Sequence, residues 1–161
     1  MKRLETIRTW ESPGSGSFYD EAGNIAKSPH VIRGEGLNTD PDMNKNPNPG
    51  YWWWEDGSSR KRLSWQTSMD WPLGLAYHHL DPQSAYRVRL TGYGQAKVRA
   101  NGELLTPTLQ GKEIGEITEF PVPAGLLKDG KLNLNFDSLP EEAHLNWRHQ
   151  SRVSEVWLLK N

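Results

Sequence analysis

The last third of this chain alternates and turns in a way that only a set of short antiparallel strands accommodates. Three runs carry the pattern: Lys97-Val-Arg-Ala-Asn-Gly-Glu103, Phe120 to Phe136, and Val153 to Lys160. Within the first, Asn101-Gly102 is the strongest two-residue hairpin signal, because both residues tolerate the positive φ of a type I′ turn. Within the second, Leu132, Leu134 and Phe136 alternate with Asn133 and Asn135, so one face of that strand is buried and the other is wet. Tyr86-Arg-Val-Arg-Leu-Thr-Gly-Tyr93 repeats the device, with Tyr86, Val88 and Leu90 on one face.

The same reading extends toward the N-terminus. Strands are expected at Glu5–Glu11, Pro29–Arg33, Tyr51–Trp54, Arg60–Thr67 and Leu73–His79, and loops at Ser12–Gly23 and Asn38–Gly50. A final antiparallel pair, His144–Trp147 with Val153–Leu159, would close around Arg148–Arg152. Ala124-Gly-Leu-Leu-Lys128 reads as a short helical turn, and no segment of helical period is long. The pattern is that of an all-β fold, an antiparallel β-sandwich or barrel, in one domain over residues 1–161. With 161 residues the chain can bury a core without staples.

Charge and composition narrow the function. A net charge of −1 gives no general attraction to nucleic acid or an anionic membrane. Cysteine is absent, which excludes disulfides, thiolate metal sites and a cysteine nucleophile. No apolar run approaches the roughly 20 residues of a membrane span, and Met1–Arg8 lacks the apolar core of a secretory signal. The 8 Trp, 15 Gly and 11 Pro suit a sandwich that carries aromatic contact sites.

The order of the closing strands, Lys97 to Asn161, resembles that of galactose-binding-like jelly rolls, with looser similarity at Gly16-Ser-Phe-Tyr-Asp20 and Arg62-Leu-Ser-Trp65. The chain is also similar to C-terminal domains of large bacterial proteins. The shared elements are Gly16–Asp20, Asp81-Pro82 with Tyr86-Arg-Val-Arg89, and Glu155-Val-Trp-Leu158. The resemblance implies a carbohydrate-binding module attached to a larger enzyme. It implies an extracellular or periplasmic protein whose signal is not in this chain. It also implies a structural Ca2+ between the early loop and the last strand, with Asp20, Asn24 and Glu155 as oxygen donors. The alternative at that loop is an Asx-type turn without metal.

Tyr51-Trp-Trp-Trp54 is the sharpest local feature. Adjacent strand residues face apart, so at least one large aromatic of this run should stay exposed. Trp53, Trp54 and Trp71 are the expected stacking platforms, and the alternative is an edge strand covered by the Asn38–Gly50 loop. Trp10, Trp65 and Trp157 are expected in the core. Arg148, His149 and Arg152 lie in a predicted connection at one end of the sandwich, where they would orient a saccharide and grip acidic groups. The alternative there is a solvated loop. His78 and His79, placed on a strand, would face apart and could not chelate one ion. No phosphate loop, dinucleotide fingerprint or nucleophile elbow is present.

The expected function is non-catalytic binding of a plant or algal polysaccharide, including an acidic one. Two other readings remain: a structural domain packed on a neighbouring catalytic domain, and a small polysaccharide lyase or hydrolase.

Overall fold

The computed structural model describes residues 9–21, 27–32, 65–66, 74–113, 116–137, 141 and 151–161. Ten strands run through them: β1 (Phe18–Glu21), β2 (Val31–Ile32), β3 (Trp65–Gln66), β4 (Gly74–Tyr77), β5 (Tyr86–Tyr93), β6 (Lys97–Ala100), β7 (Glu103–Leu104), β8 (Thr118–Val122), β9 (Leu132–Asp137) and β10 (Arg152–Lys160). They form two five-stranded antiparallel sheets. One has the order β1-β10-β5-β8 with β3 also on β10, and the other has the order β2-β4-β9-β6-β7. The chain is an all-β sandwich. The described helix is confined to short turns such as the 3-10 turn Ala124–Leu127.

Alternation places the core between the sheets. Tyr86, Val88 and Leu90 of β5, Phe120 and Val122 of β8, and Val153, Val156 and Leu158 of β10 point inward from the first sheet. Leu75 and Tyr77 of β4, Val98 and Ala100 of β6, and Leu132 and Leu134 of β9 meet them from the second. Burying each such Leu or Val contributes about 1.5–3 kcal/mol against the entropy of ordering it. Asn101 and Gly102 carry φ of +49° and +86°, as the type I′ hairpin between β6 and β7 requires.

β10 is the backbone of the first sheet. It pairs with β5 along its length and with β1 and β3 on its other side. A register shift between Val153 and Glu155 marks a bulge at Ser154. One extra residue inverts the alternation, so Val153 faces the core and so do Val156 and Leu158, while Glu155 and Trp157 face out.

Several placements differ from the sequence expectation. Phe18–Glu21, expected within a loop, is a strand, because the Phe-Tyr-Asp-Glu run pairs with Glu155–Leu158. Trp10 lies outside any strand, and Trp10 and Trp157 pack on the outer face of the first sheet rather than in the central core. β10 begins at Arg152, whose backbone pairs with Tyr93 and Gln66, so this residue belongs to the sheet and not to a connecting loop. β4 stops at Tyr77, two residues short of the expected His79. The strands expected at Glu5–Glu11 (up to residue 8) and Tyr51–Trp54, the flanks of Arg60–Thr67, and His144–Trp147 lie outside the described residues.

Candidate functional site

At one end of the sandwich two loops face each other across an open groove of about 480 Å³. One loop leaves β4 through His78, His79, Leu80 and Pro82, and the other leaves the 3-10 turn through Lys128, Asp129, Gly130 and Lys131. The turn after β4 is abrupt because His79 adopts φ +59°. Histidine is among the few non-glycine types that visit this left-handed region, at a cost of about 1–3 kcal/mol. The kink swings both imidazoles to the same groove, with ring centroids 6.5 Å apart. On a continued strand they would have faced opposite sides.

The backbone holds the loops together. Leu80 is buried, and its N–H donates to the Gly130 carbonyl at 3.0 Å. Gly130 sits at φ +69°, and a Cβ there would lie 2.9 Å from the Leu80 oxygen, so this crossing needs glycine. Asn101 braces the second loop from behind. Its side-chain amide donates to the Leu126 and Lys131 carbonyls at 2.8 and 3.2 Å, and its oxygen accepts from the Asn133 N–H at 2.8 Å. The hairpin turn thus also positions the groove, a role that its Asn-Gly signature does not announce.

The charges around the groove divide into spent and unspent. The Asp81 carboxylate accepts from the Ser84 hydroxyl at 2.6 Å, the Lys160 ammonium at 2.9 Å and the Gln83 N–H at 3.0 Å. The Ser84 hydrogen bond first, then Lys160 and the Gln83 amide, hold its pKa down at about 2, and Asp81 in turn raises that of Lys160. Asp129 accepts from the Lys131 N–H at 3.1 Å, closing its own turn. The side chains of His78, His79, Lys128 and Lys131 have no hydrogen bond or ion pair among the described residues, and all four are exposed.

Two further polar clusters are buried and satisfied. Between the sheets, Asp20 is fully buried and accepts from the Tyr77 hydroxyl at 2.8 Å and from the His30 N–H at 3.2 Å. The His30 Nδ1 lies 2.9 Å from the same carboxylate, and its ring stacks on Tyr77 at 4.4 Å. Burial first, and the Asp20 charge second, push the Tyr77 phenol well above its ordinary range. On the outer face of the first sheet, Glu155 accepts from the Trp10 indole, the Tyr19 hydroxyl and the Thr91 hydroxyl, each at 2.8 Å. Trp157 meets Trp10 edge-on at 5.1 Å and donates to its carbonyl at 2.7 Å.

This geometry separates the expected calcium donors. Asp20 faces the sandwich interior, whereas Glu155 shares the outer face with Tyr19, which precedes Asp20 in the strand. Each of the two carboxylates accepts hydrogen bonds from protein donors. Among the described residues no three His, Asp or Glu side chains converge as a metal site. Asn24, Trp53, Trp54, Trp71, Arg148 and His149 lie outside the described residues, as does the side chain of Arg152. The groove was not foreseen from sequence. Its only signals were the Asp81-Pro82 and Asp129-Gly130 turns, which place His78–His79 and Lys128–Lys131 at strand ends. No protein-family model matches this chain, and no curated protein matches it.

Proposed function

We propose that this chain is a non-catalytic carbohydrate-binding module of the jelly-roll, galactose-binding-like kind, holding a plant or algal polysaccharide for a larger parent enzyme outside the cytoplasm. The observation that carries the reading is the open loop-end groove. It is open to solvent, it is held by backbone contacts, and its donors have no partner among the described residues. Pro82 adds C–H surface beside those donors, the mixture that saccharide rings use. The expected stackers Trp53, Trp54 and Trp71, with Arg148, His149 and Arg152, extend this reading. An affinity of roughly −4 to −8 kcal/mol, millimolar to micromolar, is expected.

Affinity electrophoresis of the whole chain against a panel of polysaccharides tests it. Retardation by at least one polymer, relieved by free oligosaccharide of the same type, supports a binding module. Parallel lanes with calcium and with EDTA decide separately whether a Ca2+ ion contributes. Failure to interact with any polymer, together with concentration-dependent self-association, favours a domain that packs on a neighbour. Release of new reducing or unsaturated ends favours a hydrolase or lyase.

A further inference from the structure

We infer that the groove selects an acidic saccharide, receiving a carboxylate or sulfate group between the His78–His79 pair and the Lys128–Lys131 loop. The inference rests on the glycan-binding reading above and adds the ligand's charge and the residues that hold it. Four nitrogen-bearing side chains from two separate loops face one groove, and none has a partner among the described residues. Two ammonium groups and two imidazoles on one groove offer an anionic group charge-assisted and N–H hydrogen bonds. Here the adjacent acids do not serve. Asp81 is engaged by Lys160, Ser84 and Gln83, and Asp129 accepts a backbone bond from Lys131.

The titratable groups lining the groove are His78 and His79 from one loop and Lys128, Asp129 and Lys131 from the other. Two lysines against one aspartate leave a formal +1 at the groove, with the imidazoles counted as neutral. The two rings lie 6.5 Å apart on the same groove. Each imidazole has at least one N–H donor to offer an oxyanion. The Leu80–Gly130 backbone bond and the Asn101 brace fix the distance between the loops, so little ordering is needed on binding.

The test compares polygalacturonate, a sulfated galactan and a neutral galactan by affinity electrophoresis and by titration calorimetry, with the whole chain. The expected result is tighter binding of an acidic polymer than of the neutral one, weakening as salt rises. The two acidic polymers distinguish carboxylate from sulfate. The double variant Lys128→Ala/Lys131→Ala should weaken acidic binding about fivefold or more and weaken neutral binding less. The pair His78→Ala/His79→Ala should weaken it in the same direction. Lys112→Ala, an exposed lysine outside the groove, should have no effect. Unchanged thermal melts exclude misfolding as the cause. Equal binding of acidic and neutral polymers, or equal losses in Lys112→Ala and the groove variants, overturns the anion selection while sparing the glycan reading. No binding of any polymer overturns both.

Discussion

Tyr77→Phe removes one oxygen from the fully buried contact between the sheets, and its cost follows from the local arrangement. The Tyr77 hydroxyl donates to Asp20 at 2.8 Å, and both side chains are completely buried. Phenylalanine keeps the ring that stacks on His30 and fills nearly the same volume, so no sizeable cavity opens. What is lost is one hydrogen bond to a buried carboxylate, worth about 1.5–3 kcal/mol, which leaves Asp20 with its His30 contacts among the described residues. A loss near 2 kcal/mol lowers the melting temperature of a domain this size by about 4–8 °C. Urea unfolding followed by tryptophan fluorescence measures it, with an unchanged m-value as the check that the native state is intact. The pH dependence gives an independent sign. Above the ordinary phenol value of 10.0 the unfolded chain releases a proton that native Tyr77 retains, because burial and Asp20 raise its pKa. The unfolded state then binds fewer protons, so stability falls as pH rises past 10, and Tyr77→Phe should flatten that fall. A loss under about 0.5 kcal/mol, the range of an inconsequential surface change, with the alkaline slope intact would refute the reasoning.

Three other outcomes follow from the same geometry. Leu134→Ala, in a fully buried position of β9 between β4 and β6, should cost about 2–5 kcal/mol by denaturant unfolding, since transfer and cavity terms add. Gly130→Ala places a methyl 2.9 Å from the Leu80 oxygen at φ +69°, and should cost about 1–3 kcal/mol in the same assay while weakening any glycan held by the groove. Asp81→Asn should remove one component of acid sensitivity. The folded pKa of about 2 lies below the ordinary 3.8, so the carboxylate's contribution is complete above pH 4 and is lost as pH falls toward 2. Melts of the variant across that window should be less pH-dependent than those of the parent chain, and identical profiles would count against the Ser84–Lys160 contacts.

The fold was largely legible where one face of a strand is wet. β5, β6, β8 and β9 each alternate, and Asn101-Gly102 sets a register that the structure keeps. β1 was hidden by the Gly/Ser-rich residues before it and by its length of four residues. β10 was recognised as a strand, but its Val-Trp-Leu-Leu stretch shows no clean alternation, because both of its faces are covered. The site was much less legible. Asp20, His30 and Tyr77 are brought together from 10 and 57 residues apart, and no spacing rule joins them. His78 and His79 were expected to face apart, which holds for a strand and fails at a residue in the left-handed region. Lys128 and Lys131 read only as turn residues, since their relation to the histidines depends on the packing of Gly130 beneath Leu80.

The two buried carboxylates explain why the two faces of the first sheet near β10 offer few open polar groups. Asp20 and Glu155 lie on neighbouring strands and face opposite ways. Asp20 fastens the first sheet to Tyr77 of the second, and Glu155 fastens Trp10 and Tyr19 over the sheet's outer surface. Near β10 that sheet is therefore closed on both faces by the chain itself. Farther along it, Arg89 is bound to Glu119 at 2.6 Å, and Arg87 donates to Asn161 at 2.6 Å. On the second sheet, Arg99 is bound to Asp137 at 2.5 Å. A ligand at any of these points would first have to displace an internal partner and would gain only the difference. At the groove no such exchange is required. His79's strained turn and the glycine under Leu80 place four donors that have no hydrogen-bond or ion-pair partner among the described residues. Truncating these four exposed side chains should therefore change binding with little cost in folding, since surface substitutions usually stay within about 0.5 kcal/mol.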